Sequence, residues 1–137
     1  MPRRKKKSSG QPELTGLELT LMQVIWERGD ATAAEVREAL PAALDLADTT
    51  IHTVLANLRR KGFIEPIPTV ERSMRYAPCV PREAVAHRSL GELMQQFFGG
   101  SPKRLMAHLL RDEAMDEGEL EEIRKMLRKK AKGGEEQ

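Results

Sequence analysis

The sequence predicts a mainly helical α+β fold, and three observations carry that prediction. Apolar residues recur at helical spacing in three stretches between residues 15 and 61. The period then shortens to alternation over residues 63–78, and helical spacing returns from residue 82 onward. A chain of 137 residues with 39% hydrophobic and 4% aromatic content can form one small domain with an appendage, its core built from Leu, Val, Ile, Ala and Met.

The first helix is announced by "LTGLELTLMQVIWERG". Thr15 and Glu18 have the spacing of a capping box, Leu17, Leu21, Val24 and Ile25 share one face, and Gly29 supplies the stop. Trp26 is expected behind this helix. "ATAAEVREAL" repeats the signal, with Thr32 as cap, Glu35 answering it, a short stripe of Val36, Ala39 and Leu40, and Pro41 as terminator. After the connection "PAALDLA", a third helix starts at Asp48 or Thr49, runs to Lys61 and breaks at Gly62. "FIEPIPTVERSMRYAP" reads as two short antiparallel strands around a polar loop, and Pro66 and Pro68 assign the pair to a sheet edge. Three more helices follow. The first carries Val85, Leu90, Leu93, Met94 and Phe97 and stops at Gly99–Gly100. The second, capped by Ser101 with Pro102 at its first position, carries Leu105, Met106, Leu109 and Leu110. The last opens on Asp116 and Glu119 and carries Leu120, Ile123 and Leu127.

Three helices followed by a two-stranded hairpin is the order of a winged helix-turn-helix, whose third helix enters the DNA major groove. At about 100° per residue, Ile51, Val54, Leu55 and Leu58 cluster toward the core. Thr49, Thr53, Ala56 and Arg60 point away, with His52 and Arg59 on one flank and Thr50 and Asn57 on the other. The outward face therefore begins with compact hydrogen-bonding groups and ends in cations. Thr methyls can meet thymine, Asn can pair with adenine, and Arg59, Arg60, Lys61, Arg72 and Arg75 can neutralise phosphates. Residues 56–75 hold five bases against Glu65 and Glu71.

"LTGLELTLMQVIW", "ATAAEVREAL", "ADTTIHTVLANLRRKGFI" and "RYAP" resemble the penicillinase (beta-lactamase) repressor family over roughly residues 14–127. The run Thr-Thr-Ile-x-Thr-Val-Leu followed by Lys-Gly is the most specific part. The resemblance implies a winged-helix repressor that binds double-stranded DNA at an inverted-repeat operator as a homodimer. It puts Thr49, Thr50, His52, Thr53 and Asn57 in the recognition helix, Arg72 in the wing, and the helices after residue 81 in a dimerisation region. Asn57 stands where the family often has arginine, and "VERS" replaces the usual Gly-Arg pair of the wing. Relatives under antibiotic control are cut by a sensor-linked protease near an Asn-Phe bond. The comparable stretch here is "MQQFFGG", with Gln96–Phe97, so a regulatory protease remains an open partner. Copper-sensing relatives carry paired Cys-x-Cys motifs, and with only Cys79 copper release is not expected.

The expected organisation is a disordered basic arm at 1–12, a winged domain at 13–80, a helical dimerisation region at 81–128 and a disordered tail at 129–137. The arm holds Arg3, Arg4, Lys5, Lys6 and Lys7 and no acid, which suits a polyanion. Leu90, Leu93, Phe97, Leu105, Leu109, Leu120, Ile123 and Leu127 are the candidate dimer contacts; packing on their own domain is the alternative. A second function class, a winged-helix adaptor meeting another protein, stays open. No nucleophile motif, phosphate loop or metal-ligand spacing supports an enzyme or a cofactor. His52, His87 and His108 are too scattered for a metal motif, and a lone cysteine excludes an internal disulfide. No apolar run approaches the roughly 20 residues that cross a bilayer. "KKKSSGQPE" follows the first charges where a secretory signal would be apolar, so the expected location is the cytoplasm, without membrane partners.

Overall fold

The computed structural model describes residues 13–111 and 115–135, so the basic arm lies outside the described residues. Local chemistry accounts for the helix starts. Thr15 Oγ1 accepts from the Glu18 amide at 3.2 Å while the Thr15 amide donates to Glu18 Oε1 at 2.9 Å, opening α1 at Gly16–Arg28. The same reciprocal pair between Thr32 and Glu35 opens α2 at Ala33–Ala39. Gly29 closes α1 at φ 91°, a left-handed conformation that a side chain would strain. The connection after α2 holds a 3-10 turn at Ala42–Leu44 and then Asp45 at φ 45°, before α3 at Asp48–Arg60.

The hairpin consists of β2, Ile64–Ile67, and β3, Arg75–Pro78, paired antiparallel with Pro66 opposite Tyr76. A third strand joins them: β1, Ala31–Thr32, pairs with β3 in the order β1-β3-β2, which makes β2 an edge where Pro66 and Pro68 cost little. The core beneath collects Leu21, Met22 and Ile25 from α1, Val36 from α2, Ile51, Leu55 and Leu58 from α3, and Phe63 and Ile64 at the start of the hairpin. Trp26 lies at the edge of this core, partly buried. Its indole N–H donates to the Val80 carbonyl at 2.8 Å, and the Arg82 guanidinium sits 5.8 Å from the ring centroid. The architecture is a winged helix, mainly helical with a small antiparallel sheet.

The chain divides into two compact units between Ala86 and His87, inside α4 at Arg82–Phe98. In the second unit, Gly99 and Gly100 adopt φ 58° and 76° and end α4. Ser101 Oγ accepts from the Arg104 amide at 3.2 Å and opens α5, Pro102–Arg111. Asp116 and Glu119 form a capping box for α6, Glu117–Glu135. That helix corrects the expectation of a disordered tail from residue 129. Arg128, Lys129, Lys130, Ala131 and Lys132 are good helix formers, and nothing before Gly133 interrupts them. Phe98 and His108 meet edge to face at 5.0 Å. Among the described residues from His87 onward, none is buried.

Candidate nucleic-acid interface

The site is built on α3, whose two faces differ sharply. Ile51, Val54, Leu55 and Leu58 are buried. Thr49, His52, Thr53, Ala56, Arg59 and Arg60 are exposed, and Thr50 and Asn57 sit half-buried on the flank. The four core residues are held by α1, α2 and the hairpin, so the outward row is carried on a fixed axis. The α3 N-terminus has no side-chain cap. Instead Asp48 in the first turn pairs with Arg37 of α2 at 2.9 Å. A hollow of about 100 Å³, lined by Ala33, Ala34, Arg37, Asp48, Ile51 and His52, lies beside this end.

Of the five cations expected at phosphates, the structure places Arg59, Arg60 and Arg72 in solvent, Arg72 on the loop between β2 and β3. The other two are engaged within the fold. Lys61 Nζ lies 2.7 Å from Glu18 Oε1 and donates to the Glu13 carbonyl at 3.1 Å, joining the end of α3 to the start of α1. Arg75 donates to Asp30 at 2.7 Å, to both Glu35 oxygens at 3.1 and 3.0 Å, and to Glu71 at 2.8 Å. Three carboxylates stabilise its charged form and push its pKa upward. In return the Arg75 guanidinium, with the Thr32 amide, holds the Glu35 carboxyl below the usual range, and Arg75 with Thr69 does the same for Glu71. Burial works to raise the Glu18 carboxyl, but the Lys61 ammonium and the Thr15 amide and hydroxyl outweigh it, and the net shift is downward.

Glu18 and Glu35 thus serve twice, as capping acids and as counter-ions. Sequence spacing reveals the first duty because it is local. The second joins residues 43 and 40 positions apart and leaves no local signal. His52 and His87 are exposed on separate helices, and among the described residues no group of three His, Cys, Asp or Glu could hold a metal ion. The Cys79 thiol is pushed up by burial and by Glu65, away from a reactive thiolate. No helix among the described residues is long and apolar enough to cross a membrane.

The eight candidate dimer contacts lie on α4, α5 and α6. Leu90, Leu93, Phe97, Leu109 and Leu127 are exposed, and Leu105, Leu120 and Ile123 are half-buried. Gln96 and Phe97 are both exposed within the last turn of α4.

Comparison with known proteins agrees with this geometry. The profile of the penicillinase repressor family matches residues 14–129. The transcriptional regulator BlaI of Mycobacterium tuberculosis is 36% identical over 108 residues, spanning 77% of this chain and 78% of that protein. The methicillin resistance regulatory protein MecI of Staphylococcus aureus is 25% identical over 118 residues, 86% of this chain and 95% of that protein. Among solved structures, AbfR of Staphylococcus epidermidis aligns with a TM-score of 0.43 at 14% identity over 90% of this chain and 76% of that one, too loose a likeness to bear weight. The chain belongs to the penicillinase repressor family, and is a DNA-binding transcriptional repressor rather than an enzyme.

Proposed function

We propose that the protein represses transcription in the cytoplasm as a homodimer on an inverted-repeat operator, with the outward face of α3 reading the major groove. The observation that carries this reading is the contrast across α3, where a fully buried apolar face fixes the helix and leaves Thr49, His52, Thr53 and Arg60 in solvent. Thr49, Thr50, His52, Thr53 and Asn57 are the readers. Arg59, Arg60 and Arg72 are the principal phosphate contacts; Lys61 and Arg75 act by holding α3 and β3 in place. A single subunit offers one short reader, whereas a two-fold pair doubles the contacts and requires a palindrome. The support for pairing is the exposed apolar stripe of the second unit. A regulatory protease acting at Gln96–Phe97 would have to unwind the end of α4.

Selection of DNA from a random pool tests the reading directly. The unaltered protein should enrich a palindrome, while Thr53→Ala combined with Asn57→Ala should lose operator preference and keep its dimer. Preference falls by about one and a half to three orders of magnitude per half-site if each of the two contacts contributes about 1–2 kcal/mol of discrimination. If the double variant selects the same sites, α3 is not the reader. If no sequence is enriched at all, the winged domain is an adaptor for another protein.

A further inference from the structure

Charge along α6 is segregated more completely than a helix requires. Asp116, Glu117, Glu119, Glu121 and Glu122 occupy its first half with no base among them. Arg124, Lys125, Arg128, Lys129, Lys130 and Lys132 follow over residues 124–132 with no acid among them, and Glu135 stands three residues further on. The helix dipole favours acids in the first turn and bases in the last. It does not account for two whole turns of each sign meeting at Ile123. Among the described residues, ion pairs within the helix lie near that junction, from Glu121 to Arg124 and Arg128 and from Glu122 to Lys125, at 3.2–3.6 Å between exposed side chains. Such pairs are weak and exchange partners readily. Glu117, Lys129, Lys130 and Lys132 make no ion pair with another described residue.

The apolar stripe of the same helix is uncovered. Leu120 and Ile123 are half-buried, and Leu127 is 59% exposed. At about 100° per residue, Glu117, Glu121, Arg124 and Arg128 fall along one edge of this stripe, and Glu119 and Lys130 along the other. We propose that α6 pairs antiparallel with α6 of a second copy, the acidic half of each lying against the basic half of the other. An antiparallel two-fold sets each edge against its own reverse, so Glu117 and Glu121 meet Arg128 and Arg124 of the partner, and Glu119 meets Lys130. A parallel pair would set acid beside acid and base beside base along the whole length. The pairing rests on the homodimer reading and adds the direction of the helices.

Cross-linking decides the direction. In a Cys79→Ser background, one preparation carries Glu117→Cys and another Arg128→Cys, both at exposed helical positions. The probe is a bifunctional thiol reagent shorter than about 10 Å, well under the roughly 16 Å that separate the two positions along one helix. Mixed and re-equilibrated, the two preparations should give several-fold more covalent dimer than either alone. Sedimentation of the same samples reads the association state independently. A dimer in which either variant links to itself as well as the mixture does overturns the antiparallel pairing and leaves the homodimer standing. So does a dimer in which the mixture fails to link. A monomer by sedimentation overturns both.

Discussion

The two units of this chain solve the problem of apolar side chains in opposite ways. Residues 13–86 bury twelve of them under a three-stranded sheet and three helices, whereas the described residues from 87 onward bury none. Both halves have capped helices and good helix formers, so propensity is not what separates them. Helix formation needs only local hydrogen bonds, while burial needs a second surface. The first unit supplies that surface from its own sequence, through the return of β3 against both β1 and β2. The second has stripes on three helices and leaves Phe97, Leu110, Met126 and Leu127 more than half exposed. On the proposed reading, the first unit folds on itself and the second is left to be covered by a second copy.

The largest test of this difference lies in the first core. Leu55, 1% exposed, sits where α3 meets the rest of the core. Leu55→Ala should cost about 2–5 kcal/mol through lost burial and the cavity left behind. Its urea midpoint should be the same at micromolar and at hundredfold higher protein, and a midpoint that rises with concentration would mean the first unit also depends on a partner. Next in size is Leu109→Glu combined with Ile123→Glu. These two changes should weaken the dimer by at least about a hundredfold, the effect of placing two charges in an apolar contact of a few kcal/mol. The unfolding of residues 13–86 should stay within about 0.5 kcal/mol. An intact dimer by sedimentation would detach association from these stripes.

The smallest effect is in acid, and it belongs to the first unit. Glu18, Glu35 and Glu71 all have carboxyl pKa values below their ordinary range. Groups shifted downward by folding contribute stability that is present above their unfolded pKa, about 4.3, and lost as pH falls through the folded value. The first unit should therefore weaken as pH drops from neutral to about 3. Arg75→Met should flatten that acid limb by removing the partner shared by Glu35 and Glu71. An unchanged limb in the variant would show that the Arg75 cluster does not link folding to pH.

How far the sequence discloses this molecule follows from the range of each interaction. Thr15 with Glu18, Thr32 with Glu35 and Asp116 with Glu119 are contacts three residues apart, and each marks its helix start as expected. The buried face of α3 is legible for the same reason, because its period is carried by neighbours. β1 is not legible: two residues, Ala31 and Thr32, have no period, and only the return of β3 makes them a strand. Nor is the engagement of Lys61 and Arg75, since both look like surface cations until Glu18, Asp30 and Glu35 arrive from the other end of the domain. The end of α6 is misjudged because charge alone resembles a solvated tail, although lysine and arginine are good helix formers.

The carboxylates around Arg75 and the strut between Glu18 and Lys61 also bear on how the complex responds to ionic strength. A count of bases over residues 56–75 suggests five displaced counterions per subunit. Two of those charges are already neutralised before DNA arrives, which leaves Arg59, Arg60 and Arg72 from that stretch. Each phosphate neutralised steepens the logarithmic salt slope by about 0.9, so on the proposed interface this stretch should contribute a slope nearer three than five. On the proposed interface, tolerance of potassium would come from two ion-pair clusters of the winged domain, Lys61 with Glu18 and Arg75 with Asp30, Glu35 and Glu71.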